Sequence, residues 1–239
     1  MSGTVVIAHL YPWDMNIYGD VGNVITLRRR LEWRGFDVDV RAVDVGVPFD
    51  FSDVDIVFGG GGQDSGQRVI GADLLTRGDE LRGLAAAGTP MLVVCGTYQL
   101  FGRSFTTVDG LEMPGIGIFD LQTVGSDVRT IGNIVVESPF GRLVGFENHS
   151  GQTILGPGQE PLGSVTAGYG NNRESRREGA RTGDVIGTYL HGPVLPKNPR
   201  LADHLIRAAV GRKFGLTEIE PIADGLEQRA ADVAALRPQ

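Results

Sequence analysis

The sequence predicts an α/β fold, a mainly parallel sheet flanked by helices and extended by extra β elements. Three observations carry that expectation. Short apolar runs at residues 5–10 (VVIAHL), 55–58 (DIVF) and 91–94 (MLVV) alternate with helix-like stretches over the first hundred residues, the signature of strand–helix–strand units. Many of the 36 glycines stand where apolar runs end, as tight turns at strand ends require. Beyond about residue 115 the pattern changes to short strand-like pieces broken by Gly, Pro and Ser.

Residues 5–10 read as a buried strand. Residues 20–34 suit a helix, with Asp20 as N-cap, Gly35 as stop, and Val21, Val24, Ile25 and Leu27 mostly on one face. Residues 36–43 alternate apolar and polar like a strand. The run 55–58 is a short buried strand entering the loop GGGGQDSGQR. Residues 72–87 are helical, with Gly88 and Pro90 as exit signals. Residues 91–94 form the next strand, and a helix starts near Thr97. Residues 115–120, 133–137 and 143–147 are expected strands, 169–184 a polar surface loop, and 185–190 another strand. Asn198 and Pro199 are N-cap and first-turn residues for a helix to about Val210. The last ~20 residues suit a final helix and a frayed tail. No stretch reads as an interdomain linker, so residues 1–239 are expected to form a single domain.

Composition narrows the function classes. Apolar residues make 41% and charged residues 21%, with a net charge of −7 and no basic cluster for nucleic acid. A lone cysteine excludes an internal disulfide. His9, His149, His191 and His204 are scattered without ligand spacing, so no metal site is expected. No apolar run approaches a membrane span and no secretory leader is visible, which points to the cytoplasm.

The chemistry centres on Cys95. It ends the strand 91–94 and precedes Gly96 and a helix. In an open parallel sheet, reactive groups gather at the carboxyl ends of strands. A strand–nucleophile–helix turn pushes one side chain outward, and the helix N-terminus favours the thiolate. The same position also suits a small buried hydrophobe. A second feature favours chemistry: the strand ending at Phe58 runs into Gly59–Gly62. Glycine lets backbone N–H groups approach an oxyanion. The run lacks the Gly-Lys-Ser/Thr ending of a phosphate loop. A base is also needed. His191, at the end of the strand 185–190, is the best placed; His149 in GFENHSGQT is second. His9 reads as structural and His204 as a helix packing residue.

Cys95 with Gln99 four residues on, and the glycine run about 35 residues upstream, resemble the nucleophile segment and oxyanion strand of class I glutamine amidotransferases. GFENHSGQT resembles their cobyric acid synthase-like branch. MNIYGDVGN, VRTIGNIVV and GTYLHGPVLPKNP narrow the resemblance to the GatD family, the glutaminase subunits of lipid II isoglutaminyl synthase, from about Leu10 to Asp203. The resemblance implies a class I amidotransferase-like fold and a reaction in which Cys95 attacks glutamine. It implies that N–H groups of Gly60 or Gly61 and of Gly96 hold the oxyanion, and that His191 relays protons. It also implies that Arg129 clamps the glutamine α-carboxylate and that Gln99 lines the pocket. It implies a heterodimer with a MurT-type ligase that carries ATP and Mg, with no cofactor in this chain. The resemblance further implies that lipid II is reached through that partner, which would amidate D-glutamate of the stem peptide. Pro193 stands where most class I glutaminases carry a glutamate, so the acid orienting His191 comes from a distant residue or from a partner. Competing readings are an amidotransferase for a corrinoid acid, a non-catalytic ligase-binding subunit, and a cysteine hydrolase of another amide.

Overall fold

The computed structural model describes residues 3–62 and 64–237. The first half is a doubly wound α/β unit: β1 (Thr4–Leu10), α1 (Val21–Glu32), β2 (Asp37–Val43), β3 (Ile56–Gly59), α2 (Asp64–Thr76), α3 (Gly78–Ala86), β4 (Met91–Val94) and the short α4 (Gly96–Leu100). The second half holds β5 (Ser104–Thr106), β6 (Glu112–Pro114), β7 (Leu121–Val124), β8 (Thr130–Ser138), β9 (Gly141–His149), β10 (Gln152–Leu155), β11 (Gly163–Ala167), β12 (Arg177–Glu178), β13 (Ala180–Thr182) and β14 (Val185–Thr188). It closes with α5 (Pro199–Phe214) and α6 (Gly225–Ala235).

The main sheet has the order β13-β14-β4-β3-β1-β2 and is parallel except for β13. β3, β4 and β14 are buried along their whole length, as strands covered on both faces must be. β2 is an edge strand and is only partly covered, hence its alternating sequence. The chain leaves β1 toward β2 and then returns to β3 on its other side, which makes β1/β3 the switch point where open α/β sheets bind ligands. Two four-stranded sheets, β10-β7-β5-β6 and β12-β11-β8-β9, extend the fold. No helix of the described residues is long and apolar enough to cross a membrane.

Several expectations are corrected. The helix expected over 72–87 is two helices, α2 and α3, and α2 begins at Asp64 inside what reads as a loop. Gly66 and Gly71 mask its periodicity; Ile70 and Leu74 supply its buried side. Residues 115–120 are not a strand. They form the connection between β6 and β7, with Gly117 at φ +68°. The segment 169–184 is not a simple surface loop. It contains β12 and β13, and Asn171, Glu178 and Ala180 are buried. Glu178 accepts hydrogen bonds from the Thr188 hydroxyl (2.5 Å) and the Tyr189 N–H (2.8 Å); polar character here reflects buried bonding as well as the exposed run 173–177. Asp20 and Asn198 occupy the N-cap positions of α1 and α5, but neither side chain caps. Asn198 bonds the β9 backbone at Val144 instead. The Val21 N–H is taken by Asn16 Oδ1 at 2.8 Å, which frees Asp20 for the site below.

Candidate active site

The carboxyl ends of β1, β3, β4 and β14 lie side by side in the sheet, so the segments that follow them meet in one place. Cys95 follows β4 with φ +51° and ψ −108°. That left-handed conformation is strained for a residue with a Cβ and marks an elbow that projects the side chain. The Cys95 N–H is anchored to the Thr188 carbonyl of β14 at 2.8 Å. His191, three residues beyond β14, is fixed by paired backbone bonds with Phe146 of β9 (2.8 and 3.1 Å).

The glycine run closes over both. None of Gly59–Gly62 has a positive φ; they are glycine for space. A Cβ at Gly60 would lie 2.0 Å from the Met15 carbonyl oxygen, and one at Gly62 2.4 Å from Met15 Sδ. A Cβ at Gly61 would lie 3.0 Å from His191 Cε1 and 3.1 Å from Cys95 Cβ, so the two side chains pack on the same glycine. One expectation changes here. The Gly61 N–H donates to Asp20 Oδ2 at 2.8 Å and is therefore engaged within the chain. Gly62, rather than Gly60 or Gly61, lines the cleft. Gly96 begins α4, and a Cβ there would strike Gln67 Nε2 at 2.4 Å.

The segment 15–23, whose role the sequence leaves open, supplies the missing acid. Asp20 is fully buried, with Oδ1 3.5 Å from His191 Nδ1. Tyr18 packs its ring on His191, centroids 4.3 Å apart. Pro193 lies against Gly22 on α1, where a Cβ would meet it at 2.4 Å. The position expected to carry a glutamate thus packs on the helix that presents Asp20. Burial pulls the His191 pKa down, but the Cys95 sulfur and the Asp20 carboxylate outweigh it and raise it to about 10. An imidazole set between a sulfur and a carboxylate is placed to relay protons for that sulfur.

The cleft beside Cys95 has a volume of about 360 Å³. Arg129 stands on its rim, its Nε donating to Asn148 Oδ1 (2.6 Å) and an Nη2 hydrogen to the Tyr18 hydroxyl (2.8 Å). Such bonds hold a guanidinium plane for a carboxylate. Gln99 lies in the wall. Its Nε2 donates to the Tyr189 hydroxyl (3.0 Å) and its Oε1 accepts from Gln67 Nε2 (3.1 Å). His149 also lines the cleft, its ring stacked on Tyr189 at 3.7 Å. The structure thus gathers Cys95, His191, Gly96, Arg129, Gln99 and His149. His9 is buried in β1, its pKa lowered to about 4 by burial against the charge of Asp20. His204 lies on α5, 3.0 Å from Asp184. Sequence reasoning missed Asp20, Tyr18, Gln67, Asn148 and Gly62. Tyr18 and Asp20 stand in MNIYGDVGN, Asn148 in GFENHSGQT and Gly62 in the glycine run, stretches that are distinctive in the sequence without showing which side chains act. Among the described residues no cluster of His, Cys, Asp or Glu suits a metal.

Residues 6–199 match the CobB/CobQ-like glutamine amidotransferase domain. The chain is 41% identical over 230 residues to the glutamine-hydrolyzing lipid II isoglutaminyl synthase subunit GatD of Staphylococcus aureus (strain N315), covering 96% of this chain and 94% of that one. It is 37% identical to the GatD subunit of Streptococcus pneumoniae (strain ATCC BAA-255 / R6), covering 95% and 88%. A solved glutamine amidotransferase superposes with TM-score 0.58 at 18% identity, over 86% of this chain and 98% of that one, which supports the fold alone. The chain belongs to the CobB/CobQ-like glutamine amidotransferase family, alongside the GatD subunits.

Proposed function

We propose that the chain is the glutamine-hydrolysing subunit of a lipid II isoglutaminyl synthase and releases ammonia for a MurT-type ligase. The observation that carries the chemistry is the Cys95 elbow closed on His191 and Asp20 through Gly61. The near full-length similarity to two GatD subunits supports the choice of pathway.

In this reading Arg129 holds the α-carboxylate of L-glutamine, and Gln99 and Gln67 line the amide end. The Cys95 thiolate adds to the carboxamide carbon. The oxyanion is held by N–H groups of Gly96 and of the glycine run, with Gly62 the run's member in the cleft. His191, protonated, gives its proton to the departing nitrogen, leaving ammonia and a γ-glutamyl thioester. Neutral His191 then takes a proton from water, and the hydroxide cleaves the thioester to glutamate and thiolate. Asp20 holds the imidazole in register and stabilises its charged form, as the buried acid of other triads does. Free ammonia is protonated in water and lost as a nucleophile, so a partner must capture it. The MurT-type partner supplies ATP and Mg and amidates the α-carboxylate of D-glutamate in the lipid II stem peptide, in the cytoplasm.

The test is ammonia release from L-glutamine by the full chain, alone and with the ligase, beside Cys95→Ala. Release that disappears in the variant and feeds lipid II amidation with the ligase supports the reading. No release in either mixture sinks it.

A further inference from the structure

We propose that His149 is a substrate-binding residue, whose Nε2 accepts a hydrogen bond from the α-ammonium group of glutamine. The inference rests on the reading that this cleft binds glutamine, and it assigns a residue to the α-ammonium end of the substrate.

His149 Nδ1 lies 2.8 Å from the Gly151 carbonyl oxygen. A carbonyl only accepts, so Nδ1 carries the hydrogen and Nε2 presents a lone pair. That Nε2 is buried and has no hydrogen-bond partner in the protein, while the residue is 3% exposed and lines the cleft. A buried acceptor without a donor costs free energy, and a ligand in the cleft that His149 lines can supply that donor. Burial, reinforced by the positive charges of His191 and Arg129, outweighs the backbone groups of Gly151 and Gly170 at the ring and lowers the His149 pKa to about 4. The ring is neutral near pH 7 and remains an acceptor.

Position selects the α-ammonium over the carboxamide. In the β8–β9 ladder Thr130 pairs with His149 and Ile131 with Asn148. His149 is therefore next, across the hairpin, to Arg129, and next in sequence to Asn148, which holds Arg129. The α-carboxylate and α-ammonium share one carbon, so the acceptor for one belongs beside the clamp for the other. A second buried, unpartnered acceptor of the cleft, Gln67 Oε1, belongs to a side chain packed on Gly96 at the reacting end. Among the residues whose side chains are described, no Asp or Glu lines the cleft to take the ammonium.

The test compares L-glutamine with glutaramate, which has hydrogen in place of the α-ammonium group. Both are turned over by the full chain with its ligase, as wild type, His149→Phe and His149→Gln. The phenylalanine keeps the stack on Tyr189, and a thermal melt checks that the fold survives. For glutamine, His149→Phe raises KM by about 10- to 100-fold, the weight of a hydrogen bond to a charged group, with kcat little changed. Glutaramate kinetics stay where they are, and His149→Gln recovers part of the loss. An equal loss on both substrates, or no loss on glutamine, overturns the proposal while leaving the glutaminase reading intact. A wild-type chain that turns over neither substrate overturns both.

Discussion

Replacing Asp20 by Asn removes a charge and little else. The side-chain oxygen can still accept from the Gly61 N–H, now 2.8 Å from Oδ2, so the glycine run keeps its anchor. What is lost is the carboxylate 3.5 Å from His191 Nδ1. Two unit charges at that distance attract by about 5 kcal/mol at an effective dielectric constant of about 20. Part of that is offset in the wild type by burying the carboxylate. At 1.36 kcal/mol per decade, the surviving share corresponds to a fall in kcat of about 10²- to 10³-fold. The amide also offers N–H where a carboxylate accepted, which turns the imidazole toward the wrong tautomer. KM for glutamine stays within a few-fold, because Asp20 is absent from the cleft wall. The sign of the pH effect follows from the His191 pKa, raised to about 10 partly by Asp20. His191 must be protonated to discharge ammonia, so the alkaline limb of the kcat profile moves to lower pH in the variant. The assay is steady-state ammonia release from pH 6 to about 10.5, with a thermal melt as control. A folded Asp20→Asn chain with kcat within threefold of wild type and an unmoved alkaline limb would refute the in-chain triad. The acid would then have to come from the ligase.

Two further outcomes follow from the geometry. Arg129→Lys keeps the charge but loses the fork fixed by Asn148 and Tyr18; KM for glutamine rises about tenfold or more with kcat less affected, and an unchanged KM removes Arg129 from substrate binding. Glu178 is fully buried, and burial, with Glu147 nearby, raises its pKa to about 7 against the hydrogen bonds it accepts. The folded state therefore holds this proton through the range where the unfolded chain has released it, and stability falls as pH rises from about 4.5 to 7. Glu178→Gln removes that slope, up to about 3 kcal/mol between pH 5 and 8, read from denaturant unfolding at both pH values; equal slopes in the two proteins would contradict it.

Much of the site was legible because its chemistry is local. A cysteine ending a buried strand before glycine, a glycine run ending another, and a histidine ending a third each announce themselves within a few residues, and the parallel sheet gathers such ends on one edge. The strand–helix order of the first hundred residues was legible for the same reason: periodicity and glycine stops are short-range signals. The failures have a common cause. Asp20 reads as a helix cap because nothing nearby in sequence shows that Asn16 caps the helix instead or that Pro193 packs on Gly22. The polar segment 169–184 reads as a surface loop because its partners, Thr188 and Tyr189 among them, lie in another strand. The glycine run reads as an oxyanion loop, yet the Gly61 N–H is spent on Asp20, a contact 41 residues away. The sequence determined which residue types could do the chemistry and which strands would carry them. The tertiary structure decided which acid faces the histidine, which glycine reaches the cleft, and which histidine is left with an open lone pair. Those depend on distances between segments remote in the chain, and sequence spacing does not encode them.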